Sequence, residues 1–449
     1  MSDWMDAERR VERAQQLSES HRFDEALAEL EAAIEINPNN YLWQAHRGYL
    51  LDQLERFDEA ITAYESALDI GPQDSEIMVA LGIDLARTRA FDRALAIFER
   101  ISKLDPEYEP AYCHRTLIYA ELGEHERAEE MFYLAQQIKD DCPHCFCHMG
   151  ASLAMRGQYA KAIYCWRRVL EIEPDYPEVK QRIGQAYRAQ GDLEKAHECL
   201  VEALRDDPGD LDLLFELGEL ALESGRLSAA AAKFRQIIEL RPDHAGAHFA
   251  LAEILLQSER AEKALHALQQ VAELDSEFPA LDQMFGDAYL MLGRHEEARK
   301  HLRRAVERTP QDTTALMSYG NCLLELQRTP AATAVFKRVI ALDPKSPFAM
   351  HNLAVCCFRE GDYRQGLTHC LQAIELRPDY VLAIHKAALA MLHLGQWRAA
   401  RKMLDRAVAL DPGNATIRDI CNRLWKNRLR CIVATLLHPW RWWTRRRSE

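Results

Sequence analysis

The chain has 449 residues, of which 48% are hydrophobic and 28% are charged. This composition is typical of a folded protein and argues against an intrinsically disordered one. Its formal net charge of −14 argues against nucleic-acid binding by the body of the chain.

The first residues of the chain, MSDWMDAERRVERA, become charged at once and contain no apolar core as long as that of a signal peptide. No run of about twenty apolar residues follows, which argues against a simple membrane-spanning helix. Twelve cysteines in a long chain of this kind indicate reduced thiols in the cytoplasm rather than a disulfide framework. We therefore expect a cytoplasmic, helical protein and assign residues 1–6 to an N-terminal extension.

A repeat of 34 residues runs through almost the whole chain. Prolines recur with this period from Pro38 to Pro412, and Asp140 and Ser276 fill the two vacant places without a shift of phase. Because proline cannot continue a helix, each of these positions predicts a boundary between helices. Glycine often occurs midway between them, as at Gly157, where the C-terminus of a helix favours it.

Small residues keep the same period at two further positions. One series runs from Ala26 to Ala400, with Gly366 as its only exception, and the other runs from Ala14 to Ala388. Small side chains at fixed places let two antiparallel helices approach closely. The period therefore predicts a helical hairpin that is repeated along the chain.

Segments such as GQYAKAIYCWRRVLEIEPDY closely resemble the second helix of the tetratricopeptide repeat. This resemblance implies an all-α fold, a right-handed superhelical α-solenoid of antiparallel helix pairs, in which the first helix of each pair lines a concave groove. Gln44 and Arg47 depart from it, since they occupy two usually apolar positions of the second unit. The twelve predicted units are 7–40, 41–74, 75–108, 109–142, 143–176, 177–210, 211–244, 245–278, 279–312, 313–346, 347–380 and 381–414.

By this resemblance, five positions of each first helix face a ligand. In units seven to nine they include a partly apolar row, Phe215 and Phe249, beside an acidic row of Glu219, Glu253 and Asp287. Such a surface suits an extended peptide with basic and apolar residues. The alternative is that these acids merely keep a long repeat protein soluble.

Units ten to twelve carry a different set of candidate binding residues. Asn321, Asn352 and Lys386 match three of the five positions of the carboxylate clamp found in chaperone-binding members of the family. The other two positions hold Met317 and Leu382 where the family pattern has lysine. Because two cations are missing, we favour ordinary amide hydrogen bonds to a peptide backbone over a clamp.

The segment DDCPHCFCHMG, residues 140–150, is rich in cysteine and histidine. In repeat phase it begins a first helix, and its fifth and sixth repeat positions match a Cys–His pair in the preceding unit. Three interpretations remain open: core packing, a zinc site, or a redox-responsive dithiol at a helix N-terminus. The candidate residues are Cys113, His114, Cys142, Cys145, Cys147 and His148.

The C-terminal part of the chain departs from the repeat. Apolar residues continue at helical spacing through residues 415–438, which predicts a capping, amphipathic helix. Residues 418–449 carry a net charge of +7, which leaves −21 on residues 1–417. Residues 439–449 form a basic aromatic tail suited to a membrane interface, but it could also be inert or dock on protein or nucleic acid. Its candidate membrane-interface residues are Trp440, Arg441, Trp442, Trp443, Arg445, Arg446 and Arg447.

The sequence shows no Gly-rich phosphate loop, no HExxH motif and no nucleophile elbow. We therefore expect a non-catalytic scaffold or adaptor that binds one or more polypeptides and requires no cofactor. Peripheral association with the inner membrane face through the C-terminus would be compatible with this function. The alternative is a zinc-binding or thiol-responsive repeat protein that uses the CPHCFCH segment.

Overall fold

The computed structural model describes residues 2–415 and 417–422, and in these residues the chain is helical without any strand. Helices follow one another at short intervals, and the connections within a pair contain only a few residues. The helices are α1 (Ser2–Glu19), α2 (Phe23–Ile36), α3 (Tyr41–Gln53), α4 (Phe57–Ile70), α5 (Ser75–Arg87), α6 (Phe91–Leu104), α7 (Glu109–Glu121), α8 (His125–Ile138), α9 (Pro143–Met155), α10 (Tyr159–Ile172), α11 (Val179–Ala189), α12 (Leu193–Asp206), α13 (Leu211–Glu223), α14 (Leu227–Leu240), α15 (Ala245–Gln257), α16 (Ala261–Leu274), α17 (Leu281–Met291), α18 (His295–Arg308), α19 (Thr313–Glu325), α20 (Thr329–Leu342), α21 (Pro347–Arg359), α22 (Tyr363–Leu376), α23 (Val381–His393) and α24 (Trp397–Leu410).

The helices form pairs that follow the predicted repeat: the odd-numbered helices are the first helices, and the even-numbered helices are the second. Within a pair the two helices pack against each other, as α1 does against α2 and α9 against α10. The predicted all-α fold class is therefore confirmed. The chain divides into two compact structural units, each much larger than a 34-residue repeat: the first unit is Met1–Arg226 and the second unit is Leu227–Glu449.

The first helix, α1, begins at Ser2, ahead of the first predicted repeat, which starts at residue 7. Residues 2–6, which belong to the predicted N-terminal extension, are thus helical and continuous with the first pair. Nothing in this stretch breaks a helix, and Ala7, directly after it, is fully buried. The helix thus extends from the packed part of the pair toward the chain terminus.

The small residues lie where the two helices of a pair approach each other. A methyl group built on Gly48 would lie 2.6 Å from Cε1 of Tyr64, well inside van der Waals contact. Gly150 is similarly covered by the indole of Trp166, whose Nε1 donates a hydrogen bond to the carbonyl of Cys147 at 3.2 Å. A large second-helix side chain thus fills the space that a glycine on the first helix leaves open.

Each turn inside a pair contains one residue in the left-handed backbone region, always at the same repeat position. In seven pairs this residue is glycine, as at Gly191, where φ is +81°. In the other five it carries a side chain, as at Glu259, where φ is +56°. Glycine adopts this conformation without strain, whereas another residue does so at a cost of about 1–2 kcal/mol.

Several first helices begin with a side-chain cap at one fixed repeat position. Asp74, Asp210 and Asp312 accept hydrogen bonds there from backbone N–H groups of the first turn, and Asn40 does the same. In the fifth pair the capping residue is Cys142, whose Sγ accepts a hydrogen bond from the Cys145 N–H at 3.5 Å. Sulfur is a weak acceptor, so this cap differs chemically from the others.

Neighbouring first helices also touch each other within each unit. Examples are α5 with α7 and α7 with α9 in the first unit, and α17 with α19 and α21 with α23 in the second. In the described residues, contacts of this extent are not found between the second helices of neighbouring pairs. Within each unit it is therefore the first helices that pack side by side from one pair to the next.

A short helical segment follows the last pair. Residues 417–422 are helical, and Asn414 caps this segment by accepting a hydrogen bond from the Ile417 N–H at 3.2 Å. Ile417 and Cys421 are buried in the same apolar cluster as Leu404 of α24. This segment lies within the predicted capping helix of residues 415–438, whose remainder is outside the described residues.

We predict that Gly191→Ala lowers the free energy of unfolding by about 1 kcal/mol, because alanine must adopt a left-handed conformation there. A methyl group at Gly191 would meet no atom within 4 Å, so the effect reports backbone strain alone. Urea denaturation followed by circular dichroism measures it. The matched control is Gly209→Ala in the same repeat, since Gly209 has no positive φ. An equal loss in both variants would contradict the assignment of strain to Gly191.

Candidate functional site

The candidate peptide-binding residues of the second unit lie on successive first helices. Phe249 and Glu253 are on α15, and Asp287 is on α17. Further along the chain, Asn321 is on α19, while Asn352 and Lys386 are on α21 and α23. Asn321 is exposed and the other five are partly buried, so the set lies near the surface rather than in the core.

Three polar members of this set, Asp287, Asn321 and Asn352, form hydrogen bonds within or between first helices. The Asn352 side chain donates from Nδ2 to Oδ1 of Asn321 at 2.7 Å, linking α21 to α19. Asp287 accepts hydrogen bonds from Ser318 on α19 and from Gln283 on its own helix. Burial nevertheless raises the pKa of Asp287. We refer to Gln283, Asp287, Ser318, Asn321 and Asn352 as the polar row.

Phe249, the apolar candidate of this set, makes an aromatic contact. The ring of Phe249 packs against the ring of Phe278, with centroids 4.9 Å apart. Phe278 lies just before α17, so this contact joins the first helix of one pair to the loop that leads into the next. On α23, Leu382 is 52% exposed, at a position where the carboxylate clamp has lysine.

In the first unit, the acidic residues of α13 already have partners. Arg188 on α11 forms salt bridges with Glu219 at 3.2 Å and with Glu223 at 2.5 Å. Glu216 accepts hydrogen bonds from Gln181 and Gln185 on the same neighbouring helix. The charge of Glu219 is thus partly offset by Arg188, which Glu219 shares with Glu223. Phe215 is partly buried. The predicted acidic surface is therefore weaker at α13 than the sequence suggests.

The cysteine-rich segment forms a compact cluster with the preceding repeat. Ligand atoms of Glu109 and Cys113 on α7, and of Cys142 and Cys145 at the start of α9, all lie within 4.8 Å of one another. The three cysteines are buried and Glu109 is partly buried. We call these four residues the thiol–carboxylate cluster.

Hydrogen bonds and burial set the protonation of this cluster. The Cys145 thiol donates to Oε1 of Glu109 at 2.7 Å, and burial raises the pKa of Glu109 to about 7. Hydrogen bonding with the Cys113 and Cys145 thiols lowers the pKa of Cys142, and the Cys145 backbone N–H adds to this effect. Hydrogen bonding with Cys142 raises the pKa of Cys113, and hydrogen bonding with Cys113 and Cys142 raises the pKa of Cys145. Negative charge in the cluster therefore concentrates on Cys142, at the N-terminus of α9.

Three of the six side chains predicted for a metal or redox site meet in this cluster, and the other three lie outside it. Cys147 faces α11, where Arg182 approaches its sulfur at 3.9 Å. His114 stacks on Phe98, with ring centroids 5.2 Å apart. Burial lowers the pKa of His114 to about 4 and that of His148 to about 3. Both imidazoles are therefore neutral near pH 7 and line an apolar pocket beside the cluster.

Glu109 is the member of the cluster that the sequence analysis missed. It is the first residue of α7, where an acidic side chain is common because the helix dipole stabilises negative charge there. Its position alone therefore does not indicate a metal site. It precedes Cys145 by 36 residues, about one repeat. A search for carboxylates one repeat before the CPHC segment would have found it.

A second group of ionisable residues lies on α3 and α5, with the buried Asp84 at its centre. Asp84 is only 1% exposed, and it interacts with Asp52 and with Arg87, which is 3.4 Å away. Burial and the charge of Asp52 raise the pKa of Asp84 to about 7, against the opposing effect of Arg87. One oxygen of Asp84 has no hydrogen-bond partner among the residues that the structure describes.

The basic aromatic tail, including Trp440, Arg441, Trp442, Trp443, Arg445, Arg446 and Arg447, lies outside the described residues. Within the described part of the chain, no helix is both long and apolar enough to cross a membrane.

Family models described as tetratricopeptide repeat match most of the chain. One matches residues 11–75, 182–244 and 284–347, a second matches residues 221–284 and 358–424, and a third matches residues 109–142. The third match covers α7 and α8, which carry two members of the thiol–carboxylate cluster. A search of curated proteins found no match.

Solved structures with a similar fold include three repeat proteins of low sequence identity. The Cut9–Hcn1 hetero-tetramer of the APC/C is 14% identical, covering 92% of this chain and 95% of that chain, with a TM-score of 0.49. Yeast Tom70 is 11% identical and covers 99% of both chains, with a TM-score of 0.41. YrrB, a tetratricopeptide repeat protein with an unusual peptide-binding site, is 24% identical over 42% of this chain and 97% of its own, with a TM-score of 0.36.

We predict that Asp84→Asn stabilises the protein at alkaline pH. The native state holds the Asp84 proton up to about pH 7, whereas the ordinary pKa is 3.8. Folding stability should therefore fall as the pH rises between these values, and asparagine should abolish this fall. Above pH 7 we expect the variant to be more stable than the wild type by about 1–2 kcal/mol, because a neutral amide avoids the cost of burying the carboxylate charge beside Asp52.

Urea denaturation of both proteins at pH 4 and pH 8 measures this difference. Asp69→Asn is the matched control, since Asp69 is exposed on α4, and it should change stability little at either pH. A pH-independent difference between Asp84→Asn and the wild type would contradict the prediction.

Proposed function

The chain belongs to the tetratricopeptide repeat family, whose repeats form protein-interaction scaffolds, and we propose that it binds an extended polypeptide on its first helices. The binding surface runs across α15, α17, α19, α21 and α23 of the second unit. The observation that carries this proposal is the polar row, which places amide groups at the surface of neighbouring first helices. In this proposal the chain carries out no catalysis of its own.

The polar row leaves hydrogen-bonding capacity unused at its exposed end. A side-chain amide offers two N–H donors and an acceptor oxygen. The bond between Asn352 and Asn321 uses one donor of Asn352 and part of the oxygen of Asn321. The remaining donors and the oxygen of Asn352 can bind the N–H and C=O groups of an extended backbone, which lack partners in a free peptide.

The spacing of the first helices fits such a ligand. Packed helices lie about 8–10 Å apart, and an extended chain advances about 3.3 Å per residue. About every third residue of the peptide would then reach another first helix. A peptide crossing from α17 to α21 would meet the polar row along about six residues, a usual length for linear recognition motifs.

Charge and apolar surface define the class of peptide. Glu253 and Asp287 lie on neighbouring first helices and are only partly buried, so they favour a cationic side chain. Phe249 and the exposed Leu382 supply apolar contacts at either end of the row. We therefore propose a ligand with basic and apolar residues. Met317 and Leu382 stand where a carboxylate clamp has lysine, so a terminal carboxylate would lack cationic partners here. In this proposal the peptide is therefore bound through its backbone.

We predict that Asn321→Ala combined with Asn352→Ala weakens peptide binding at least about tenfold, because two backbone hydrogen bonds of about 1 kcal/mol each are lost. The ligand for this test is a peptide selected from a random library on the full-length protein. Fluorescence anisotropy of the labelled peptide gives the dissociation constants.

The matched control is Gln269→Ala, which removes an exposed amide from the second helix α16. It should leave the affinity unchanged. A second test reverses single charges. Glu253→Arg should weaken peptide binding, most strongly at low salt, whereas Glu262→Arg on α16 should leave peptide binding unchanged. If the selected peptides bind the double variant as tightly as the wild type, the polar row is not the binding surface.

We further propose that the C-terminal tail holds the protein at an anionic membrane surface. The support comes from the sequence: three tryptophans and four arginines occur together, as WRWWTRRR, directly after an amphipathic basic stretch. Indole rings favour the headgroup region, and arginine favours anionic lipid. This proposal includes location at the inner face of the cytoplasmic membrane.

Vesicle sedimentation tests the membrane proposal. The full chain should sediment with vesicles containing anionic phospholipid but not with purely zwitterionic ones, because each basic residue near the surface contributes about 1 kcal/mol. A chain truncated after residue 429 should remain in the supernatant, as should a variant with Trp440, Trp442 and Trp443 replaced by alanine. Equal recovery of the full and truncated chains in the supernatant would exclude lipid binding by the tail.

A further inference from the structure

We propose that Glu109, Cys113, Cys142 and Cys145 bind one zinc ion, which joins the first helices of the fourth and fifth repeats. Cysteine sulfur and carboxylate oxygen are both zinc ligands, and three sulfurs with one oxygen complete the four-coordinate set that a closed tetrahedral site requires. Two ligands come from α7 and two from the start of α9, so the ion would cross-link neighbouring repeats. This proposal does not depend on the polypeptide-binding surface, which lies in the other unit.

The geometry of the thiol–carboxylate cluster is close to that of a closed site. Its four ligand atoms already lie within 4.8 Å of one another. Tetrahedral zinc, with bonds of about 2.3 Å to sulfur and 2.0 Å to oxygen, holds such ligand atoms about 3.5–3.8 Å apart. Side-chain movements of about 1 Å would therefore close the cluster around the ion, without displacement of either helix.

Simple core packing does not account for the carboxylate. Buried cysteine serves as a small apolar filler elsewhere in the chain, as at Cys165 and Cys356. A carboxylate placed among three buried thiols is costly, because burial disfavours its charged form. Glu109 is nevertheless held there, 2.7 Å from the sulfur of Cys145. A cation at the centre of the cluster would repay this cost.

The N-cap provides an independent observation in favour of a metal. First helices of other repeats use an oxygen at this position, as Asp74, Asp210 and Ser346 do. Cys142 replaces this oxygen with sulfur, which is a poorer hydrogen-bond acceptor but a better ligand for zinc. The sulfur of Cys142 thus makes a weaker N-cap than an oxygen would, but it supplies a metal ligand.

The surroundings also suit the charge of the complex. Binding of Zn²⁺ requires all four ligands, the three thiols and the Glu109 carboxyl, to be deprotonated, with the protons released to solvent, which leaves a net charge of about −2 on the ion and its four ligands. The N-terminus of α9, which Cys142 caps, stabilises negative charge. Lys139, in the preceding loop, also interacts favourably with the Glu109 carboxylate. No oxidant or reductant takes part in this binding step.

The first experiment measures zinc in the full-length protein purified without chelators. Mass spectrometry of the metal content should find about one zinc ion per chain, and Cys113→Ser or Cys145→Ser should reduce it at least about tenfold. The matched control is Cys165→Ser, which alters a buried thiol in the fifth repeat outside the cluster. It should keep its zinc. Zinc retained by both cluster variants, or absent from the wild type, would overturn the proposal.

The second experiment uses the wild-type chain alone, so its outcome does not depend on the folding of a variant. The reduced, metal-free protein is titrated with Co²⁺, whose tetrahedral thiolate complexes have intense visible and near-ultraviolet absorption. We expect saturation at about one equivalent, reversed by added Zn²⁺. Failure to develop thiolate-to-cobalt absorption would overturn the proposal. A Cys142–Cys145 disulfide in protein alkylated at once on lysis would overturn it in favour of a redox dithiol.

Discussion

The close approach of two helices at a small residue is the constraint on which the rest of the structure depends. Gly48 and Gly150 show it directly, since a methyl group on either would overlap the aromatic ring of the paired helix. A larger side chain would separate the helices and shift every contact that the pair makes with its neighbours. Because each repeat contacts mainly the next, the same separation must recur along the chain. This requirement keeps the period at 34 residues without insertion.

Much of this fold could be predicted from the sequence because its signals are local. Proline, glycine and small residues lie at fixed positions in each repeat, and each acts through backbone conformation or steric space nearby. The left-handed turn residue was predicted only where it is glycine, as at Gly157. At Glu259 and Gln327 the conformation is the same, but no local preference indicates it. There the packing of the two helices imposes the turn on a residue that disfavours it.

The candidate sites were harder to predict, because they depend on how neighbouring helices align. Repeat phase alone places Cys113 and Cys147 at the same position of neighbouring first helices, but it does not show which side chains meet. Hydrogen bonds between first helices join residues 31, 35 or 36 apart, as in Asn321–Asn352, Gln181–Glu216 and Glu109–Cys145. These offsets lie on either side of the 34-residue repeat length, and the shortest differs from the longer two by about one helical turn. The side chains that form these hydrogen bonds therefore reach residues on either side of their own equivalents on the next helix.

This alignment explains why the thiol–carboxylate cluster forms at a helix start rather than along a helix. Glu109 and Cys113 lie one turn apart on α7, so both can face the first turn of α9, which contains Cys142 and Cys145. His148 lies further along α9, and its packing near His114 leaves both rings in an apolar pocket. Histidines there are neutral because burial disfavours their charge, whereas negative charge at the cluster is favoured by the N-terminus of α9. A difference of one helical turn thus separates a set of groups suited to a cation from a set that only fills space.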